Sequence, residues 1–207
     1  SIEPNLLKND IIDFVATSNL FVPHFHIPLQ SGSNKILGLM KRRYRKELYE
    51  DRIRYIQSKI NDVCIGVDVI VGFPGETDQD FEDTMNLIAD IGFDMSFSFI
   101  YSQRPGTPAS DLPDNTDMET KKRRLSILQR RIDQRAFAIS QSMVGSLQWV
   151  LVSGYSKKDP GKLSGRTENN RVVNFPCDQV DLIGKFAQVR ILDAHPHSLR
   201  GELVISE

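Results

Sequence analysis

Cysteine is scarce in this chain of 207 residues, and its scarcity excludes several kinds of site. The two cysteines, Cys64 and Cys177, lie far apart, and neither has a second cysteine at metal-binding spacing. The pattern therefore predicts neither a disulfide framework nor a cysteine-rich metal centre. The four histidines form two pairs, each spaced by two residues, but no further ligand is placed to complete a metal site.

Long apolar runs are absent as well. No stretch approaches the ~20 apolar residues of a membrane helix, and residues 1–10 lack the basic start and apolar run of a signal peptide. We therefore expect a soluble, cytoplasmic protein without membrane contact. A hydrophobic content of 40% and a charged content of 26% are ordinary for a globular chain and do not favour disorder.

Neither sign of charge dominates, since the formal net charge is −1, but the charges are unevenly distributed. Residues 41–59 carry eight basic and three acidic side chains, whereas residues 76–94 carry seven acidic side chains and no basic one. Residues 121–135 are again strongly basic. Such runs are typical of solvated helix faces, and contact with nucleic acid is the alternative.

The first half of the chain alternates between helix and strand patterns. Helices are predicted at 4–16, 48–60 and 81–91, and strands at 24–29, 63–71 and 94–101. Three such rounds are typical of parallel βα units. Because parallel strands need cover on both faces and partners at their edges, we expect part of a larger barrel. A first residue that is serine rather than methionine agrees with a piece of a longer protein.

The second half of the chain has a different pattern. A long amphipathic helix is predicted at 118–143. Short β-type runs separated by Gly, Pro and Asp turns follow at 149–152, 171–175, 186–191 and 202–205. They predict a small closed or nearly closed barrel of the OB-like kind. The expected division is therefore a partial α/β barrel at 1–115, a basic connecting helix at 116–143 and an all-β barrel at 144–207.

Polar, glycine-rich segments follow all three predicted strands of the first half. The most informative is Gly72-Phe73-Pro74-Gly75-Glu76-Thr77, after which Thr77 and Asp80 form an N-cap pattern. Carboxyl ends of parallel strands share one rim, so these segments, with the charges of Asp68 and Glu76, predict a pocket for a polar ligand. For this segment alone, a strand-to-helix turn without a ligand is the alternative.

The other two strand ends supply further candidate groups. Gln30, Ser31 and Ser33 offer amide and hydroxyl groups, and Ser33 is also a predicted N-cap. Arg42, a dozen residues later, is suited to clamp a carboxylate. An aldolase or isomerase would need a lysine nucleophile or an acid/base pair at a strand end, and no strand end carries a lysine.

Several motifs resemble those of a known enzyme family, the radical S-adenosylmethionine (SAM) methylthiotransferases. They are His26-x-Pro28-x-Gln30-Ser31-Gly32-Ser33, residues 68–77, and Tyr101-Ser102-x-Arg104-Pro105-Gly106-Thr107-Pro108-Ala109. Residues 156–160 and 163–173 resemble the C-terminal TRAM domain of the MiaB-type branch. The resemblance covers essentially the whole chain. It implies an α/β partial radical SAM (TIM-like) barrel followed by a small all-β TRAM (OB-like) barrel.

The resemblance implies a tRNA-modifying enzyme that adds a methylthio group to C2 of N6-isopentenyladenosine at position 37, using SAM and two 4Fe-4S iron–sulfur clusters. The chain lacks the three-cysteine C-x-x-x-C-x-x-C motif of the SAM-cleaving cluster and the domain of the second cluster. It is therefore expected to hold neither cluster and to be inactive alone. The implied partners are the tRNA anticodon stem-loop and the missing N-terminal half of the same protein.

The resemblance also implies a SAM site. The matching positions are Gln30, Arg42, Asp68, Gly72, Glu76 and Tyr101. Arg42 suits the methionine carboxylate, Asp68 or Glu76 suits the amino or ribose groups, and the backbone near Gly72 and Tyr101 suits the adenine.

The predicted small barrel has residue types suited to RNA. The candidate RNA-binding residues are Lys157, Lys158, Arg166, Thr167, Asn169 and Arg171. Basic and amide groups on barrel loops suit phosphates and unpaired bases. Residues from 145 onward carry eight basic and seven acidic side chains, so weak and salt-sensitive binding is expected. A barrel that only docks on its own enzyme is the alternative.

Two further interpretations remain open. One is the branch of the family that modifies an aspartate of a ribosomal protein, against which the run 165–171 argues. The other is a non-catalytic RNA-binding module, for which the βα part would have to be stable alone despite an unpaired strand edge.

Overall fold

A computed structural model describes residues 1–178 and 180–204 of the chain. The chain divides into two units. The first consists of Ser1–Phe21 and Phe25–Gln134, and the second of Val22–His24 and Arg135–Glu207.

The first unit is built around a three-stranded sheet with the order β1-β2-β3. Its strands are β1 (His24–His26), β2 (Cys64–Val71) and β3 (Met95–Ile100), and its helices are α1 (Asn9–Thr17), α2 (Asn34–Leu39), α3 (Lys46–Lys59) and α4 (Asp78–Ile91). Strands β2 and β3 pair in parallel, in register from Gly66 opposite Met95 to Val71 opposite Ile100. The predicted alternation of helices and strands is therefore confirmed.

The two faces of this sheet differ. On one face, every second residue of β2 from Ile65 to Val71 is buried in the core, together with Ile53 of α3 and Ile88 of α4. On the other face, Asp68 lies in register with Phe97, which is exposed. Since successive side chains of a strand point to opposite faces, the helices cover one face of the sheet.

Local signals in the sequence set the helix starts in part. Ser33 caps α2, and the capping box of Thr77 and Asp80 starts α4, as predicted. The first helix was expected to begin at Pro4, but residues 4–6 form a turn and α1 begins at Asn9. The first strand was expected to reach residue 29, but β1 ends at His26.

The long helix α5 (Met118–Ser142) has almost the predicted bounds. Its apolar stripe places Leu128 and Ile132 in the core of the first unit. Met143, the next residue after the helix, belongs to the core of the second unit. The division of the chain falls within α5, between Gln134 and Arg135, and the predicted domain bounds at residues 115 and 143 stay predictions.

The second unit contains a closed five-stranded barrel with the order β4-β5-β6-β8-β7, which confirms the OB-like expectation. Its strands are β4 (Leu147–Tyr155), β5 (Lys162–Thr167), β6 (Val172–Pro176), β7 (Phe186–His195) and β8 (Ser198–Leu203). Pairing between β6 and β8 is parallel, and the other pairings are antiparallel. The predicted last strand extended to Ile205, which lies outside the described residues.

Strand β5 was missed because its inward positions are mostly small. Leu163, Gly165 and Thr167 point inward, and only the first is a large apolar residue. A Cβ atom at Gly165 would lie 2.5 Å from the carbonyl oxygen of Leu151. Gly201 of β8 is equally constrained, since its Cβ would collide with a methyl group of Val189. Glycine is therefore required where the barrel wall is tightest.

Candidate ligand site and candidate RNA interface

The ends of the three parallel strands lie side by side. Tyr101 continues the pairing of β3 by donating its backbone N–H to the carbonyl of Val71 at 2.9 Å. Gln30, with φ of 67°, donates to the carbonyl of Asp68 at 2.8 Å and accepts from the backbone N–H of Ile70 at 2.9 Å. Gln30, Asp68, Gly72 and Tyr101 are thus brought to one end of the sheet.

Asp68 has a partner that the sequence did not indicate. The Nε2 atom of His26 lies 2.8 Å from its Oδ1 atom, and both side chains are about three-quarters buried. The imidazole ring also lies against Phe97, with ring centroids 5.5 Å apart. His26 is therefore the hydrogen-bonding partner of Asp68 on the face of the sheet that the helices leave uncovered. Among the described residues, this histidine does not belong to a group that could hold a metal ion.

Glu76 is occupied within the protein. Its Oε1 atom accepts hydrogen bonds from the backbone N–H of Gly72 at 3.0 Å and from Nη1 of Arg124 at 2.7 Å. Only 2% of the Glu76 side chain and 5% of the Arg124 side chain are exposed. Burial raises the pKa of Glu76 above its ordinary value, although Gly72 and Arg124 act to lower it. Glu76 is therefore a structural carboxylate that fixes the loop after β2.

Arg124 and Lys121 of α5 form two further ion pairs, one with the first residue of α4 and one with the segment that precedes α5. Nη2 of Arg124 lies 2.7 Å from Asp78. Nζ of Lys121, whose side chain is buried, pairs with Asp114. Gly72 has φ of 67°, and a Cβ atom there would lie 2.5 Å from Cγ of Lys121. Lys121 fills the space into which a Cβ of Gly72 would point, and the expected role of the backbone near Gly72 toward the adenine stays a prediction.

The same contacts give a role to the basic run at 121–135. Lys121 and Arg124 are buried, whereas Lys122 and Arg123 are exposed. The first two lie on the stripe that continues with Leu128. A basic residue on an apolar helix stripe is thus the sequence signal that could have revealed this buried ion pair.

Tyr101 fits a ligand better. Its ring packs edge-on against Phe73, with centroids 4.9 Å apart. Its hydroxyl oxygen is buried and has no hydrogen-bond partner among the residues that the structure describes. Buried polar atoms are normally satisfied, so an unpartnered hydroxyl at the end of β3 favours a ligand with a hydrogen-bonding group.

Arg42 is engaged elsewhere. Its Nη1 atom lies 2.9 Å from Oε1 of Glu3, and both side chains are partly exposed. The sequence predicted a carboxylate clamp, and the carboxylate found here belongs to the chain itself. The role of Arg42 toward the methionine end of SAM stays a prediction.

The segment Ser31-Gly32-Ser33 is held by α4. The Ser33 hydroxyl donates to Asp80 at 2.7 Å, and Gly32 approaches Thr84 so closely that a Cβ would lie 2.5 Å from its Cα. Asp80 also accepts from Lys35 at 2.7 Å. Burial acts to raise the pKa of Asp80, but hydrogen bonds from Lys35, Thr77 and Ser33 outweigh it, and the pKa lies well below its usual range.

The candidate RNA-binding residues of the barrel differ in exposure. Lys157 and Lys158 are exposed in the loop between β4 and β5. Arg166 is exposed on β5, where its Nη1 atom donates to the carbonyl oxygen of Asn170 at 2.9 Å and to its Oδ1 at 3.1 Å. These three cations are accessible to a partner.

The other candidates shape the turn between β5 and β6. Thr167 is 4% exposed, and its hydroxyl donates to Oδ1 of Asn169 and accepts from the backbone N–H of Arg171 at 3.0 Å. Asn170 has φ of 64°, which asparagine tolerates in turns. Thr167 is therefore a turn-forming residue, and its predicted contact with RNA is untested.

Iron–sulfur clusters do not fit the residues present. Cys64 is buried in β2, and Cys177 follows β6. Within residues 1–178 and 180–204, no group of three or more His, Cys, Asp or Glu side chains is arranged to hold a metal ion. In the same ranges, no helix is long and apolar enough to cross a membrane.

Two family models match the chain. The model described as Radical SAM superfamily matches residues 1–88, and the TRAM domain model matches residues 141–204. These two segments are therefore similar to the two families that the motifs predicted.

Similarity to individual proteins points to a narrower group than the two family models do. It is 62% identical over 87% of its length to the tRNA-2-methylthio-N(6)-dimethylallyladenosine synthase of Alcanivorax borkumensis, covering 40% of that protein. It is 55% identical over 99% of its length to the protein of the same name from a Marinomonas species, covering 45% of that one. The chain thus spans less than half the length of these relatives.

A solved structure shows the same fold at low identity. Coproporphyrinogen III oxidase (HemN) from Escherichia coli, described as a radical SAM enzyme, matches with a TM-score of 0.56 and 16% identity. The match covers 91% of this chain and 45% of that one. At this identity the likeness concerns the fold alone.

Proposed function

We propose that the chain is part of a tRNA methylthiotransferase, an enzyme that adds a methylthio group to C2 of N6-isopentenyladenosine at position 37 of tRNA. The observation that carries this proposal is the 55% identity to one named synthase over 99% of the chain. A single relative thus aligns with both the sheet-containing unit and the barrel. The proposal places the protein in the cytoplasm, where tRNA is modified.

In this proposal the strand ends bind SAM. In such enzymes, bound SAM would supply a 5′-deoxyadenosyl radical, with methionine as the leaving group, after it received one electron from an iron–sulfur cluster. The hydroxyl of Tyr101 offers a hydrogen bond to the ligand, and Asp68, held by His26, offers a carboxylate. Arg124 and Glu76 do not contact the ligand in this proposal but fix the conformation of the loop after β2. Because the residues present do not fit an iron–sulfur cluster, we propose no cluster-dependent step for this chain, and the chain alone is inactive.

A chimera tests the activity directly. The chain replaces the matching 45% of the Marinomonas relative, and the chimera is loaded with iron and sulfide and given SAM, a reductant and an isopentenylated anticodon stem-loop. The expected product is the 2-methylthio nucleoside, detected by mass spectrometry of digested RNA. The chain alone serves as the control and should yield none.

Two outcomes would contradict the proposal. A chimera that loads its clusters and cleaves SAM but leaves the RNA unmodified would show that this chain does not support methylthiolation. Product from the chain alone would overturn its proposed inactivity. A Tyr101→Phe chimera separates the ligand role from packing, because it keeps the ring against Phe73 and should raise the KM for SAM.

A further inference from the structure

The outer surface of the barrel carries large side chains that its core does not use. Trp149 is 50% exposed, Leu151 is 44% exposed and Phe186 is 63% exposed. Their inward neighbours Val150 and Ala187 are buried. Because strand residues alternate between two faces, the core accounts for the buried residues and leaves the exposed ones unexplained.

Strand register gathers these side chains into one patch. Leu151 of β4 lies opposite Phe186 of β7, and Trp149 lies opposite Gln188, two residues further along β7. The tryptophan and the phenylalanine are therefore diagonal neighbours, about 7–8 Å apart, within reach of each other's aromatic contacts. Two aromatic side chains thus occupy diagonal positions on the same outer face of the barrel.

Arginines border the two rings on both sides. Arg166 of β5 lies opposite Leu151, and Arg190 of β7 lies opposite Leu147. Both arginines are exposed. Arg166 donates to Asn170, and Arg190 forms a long ion pair with Glu202, at 3.9 Å, and donates to the carbonyl of Gly145 at 3.4 Å. We define the aromatic face as Trp149, Leu151, Phe186, Arg166 and Arg190.

We infer that the aromatic face binds unpaired RNA nucleotides by stacking their bases on Trp149 and Phe186. Arg166 and Arg190 lie where the flanking phosphates would run. Proteins bind single-stranded nucleic acid by combining aromatic rings with a cationic border, and each base offers a π face to such a ring. This inference rests on the proposed function, because the loop of an anticodon stem-loop supplies the unpaired bases.

The charge of the aromatic face suits RNA. Both of its charged side chains, Arg166 and Arg190, are arginines, so the face is complementary to a polyanion. Lys157 and Lys158, which follow β4 in the next loop, are also exposed cations of this barrel. The surface therefore complements a polyanion with exposed rings.

The chain contains a single tryptophan, so its fluorescence reports on this surface alone. The probe is an isopentenylated anticodon stem-loop, titrated into the 207-residue chain at low salt. We expect quenching of the Trp149 emission that saturates with the Kd found from anisotropy of labelled RNA. Trp149→Ala and Phe186→Ala should each weaken binding about 5- to 100-fold, and Trp149→Phe should keep most of the affinity.

Phe14→Ala is the matched control. Phe14 lies in the first unit and is 60% exposed, close to the 63% of Phe186. Its replacement should leave RNA affinity unchanged. Urea unfolding of every variant checks that the barrel stays folded.

The possible results separate the inference from the proposed function. RNA that binds without quenching, and equally well to Trp149→Ala, would overturn the aromatic face while leaving RNA capture intact. An equal quench and affinity with a fully paired duplex would overturn stacking of unpaired bases. Self-association lost in Trp149→Ala, with RNA binding unchanged, would assign the face to protein contact instead. A folded chain that binds no RNA would contradict both the inference and RNA capture by this barrel.

Discussion

Charged residues are buried in one part of the molecule and exposed in another: those that fix the loop after β2 are buried, and those on the barrel surface are exposed. Glu76 and Arg124 are almost fully buried and form an ion pair with each other. Lys157 and Lys158 are exposed. A charge run in the sequence therefore has two meanings, one in which the charges hold a loop in place and one in which they remain available to a partner. Burial decides between these two meanings. In a helix, burial can be recognised when a charged residue lies on the same stripe as the apolar residues.

The largest loss of stability is expected from Arg124→Ala, which breaks the buried ion pair with Glu76. Removal of the guanidinium group leaves the charge of Glu76 buried and uncompensated, which should lower the free energy of unfolding by about 3–5 kcal/mol. Urea denaturation measures this loss. Arg123→Ala is the matched control, since Arg123 is exposed one residue away, and it should cost less than about 0.5 kcal/mol. Equal losses in the two variants would contradict the role given to Arg124.

Gly72→Ala tests the close approach of α5 to the loop. The new Cβ requires a left-handed φ of 67° and collides with Lys121, so we expect a loss of about 1–3 kcal/mol in urea denaturation. Gly106→Ala separates the two causes, because Gly106 has φ of 80° but no atom near its Cβ position. A loss at Gly72 no larger than at Gly106 would mean that the Lys121 side chain simply moves aside.

Two buried carboxylates of the first unit, Asp80 and Glu76, should change the free energy of unfolding in opposite directions as pH is lowered. The folded-state pKa of Asp80 lies below its ordinary 3.8, so its contribution is complete above that pH and is lost as pH falls further. The folded-state pKa of Glu76 lies above 4.5, so its contribution is complete below that pH and is lost as pH rises past it.

Unfolding free energies between about pH 2 and pH 7 check these signs. Asp80→Asn should flatten the decline on the acid side, and Glu76→Gln should flatten the decline above 4.5. If either variant kept the wild-type slope in its own range, the corresponding pKa shift would be wrong.

The smallest change in stability is expected on the barrel surface. The double variant Lys157→Ala, Lys158→Ala should alter the free energy of unfolding by less than about 0.5 kcal/mol, because both side chains are exposed. Its effect on RNA should be larger, lowering the salt dependence of stem-loop binding by about two units. An unchanged salt slope would show that these lysines do not contact phosphates.

Much of the fold could be predicted because it follows local rules. Apolar periodicity indicated α3, α4, α5 and most strands, and the caps at Ser33 and Thr77 set two helix starts. Strand β5 was missed, since a glycine occupies an inward position where a large apolar residue would have shown the alternation. Alternation along a strand reveals a buried position only when that position carries a large apolar residue.

The candidate site was harder to predict because its contacts are distant in sequence. The motif residues Asp68, Gly72 and Glu76 were found from the strand end. Their partners His26, Lys121 and Arg124 lie 42, 49 and 48 residues away, and pairing at such distances leaves no periodic trace. Nη1 of Arg42 and Oε1 of Glu76 are bonded within the chain, and Lys121 fills the space beside Gly72. The SAM contacts expected of these three residues stay predictions.

The tight glycines of the barrel have a consequence for how its sequence diverges. At Gly165 and Gly201 the wall leaves no room for even a methyl group, so the interior resists change from within. Outward positions such as Trp149, Arg166 and Phe186 face no such restriction. Natural variation should therefore concentrate on the outside, and a descendant of this barrel can acquire a different binding preference while its inner half stays the same.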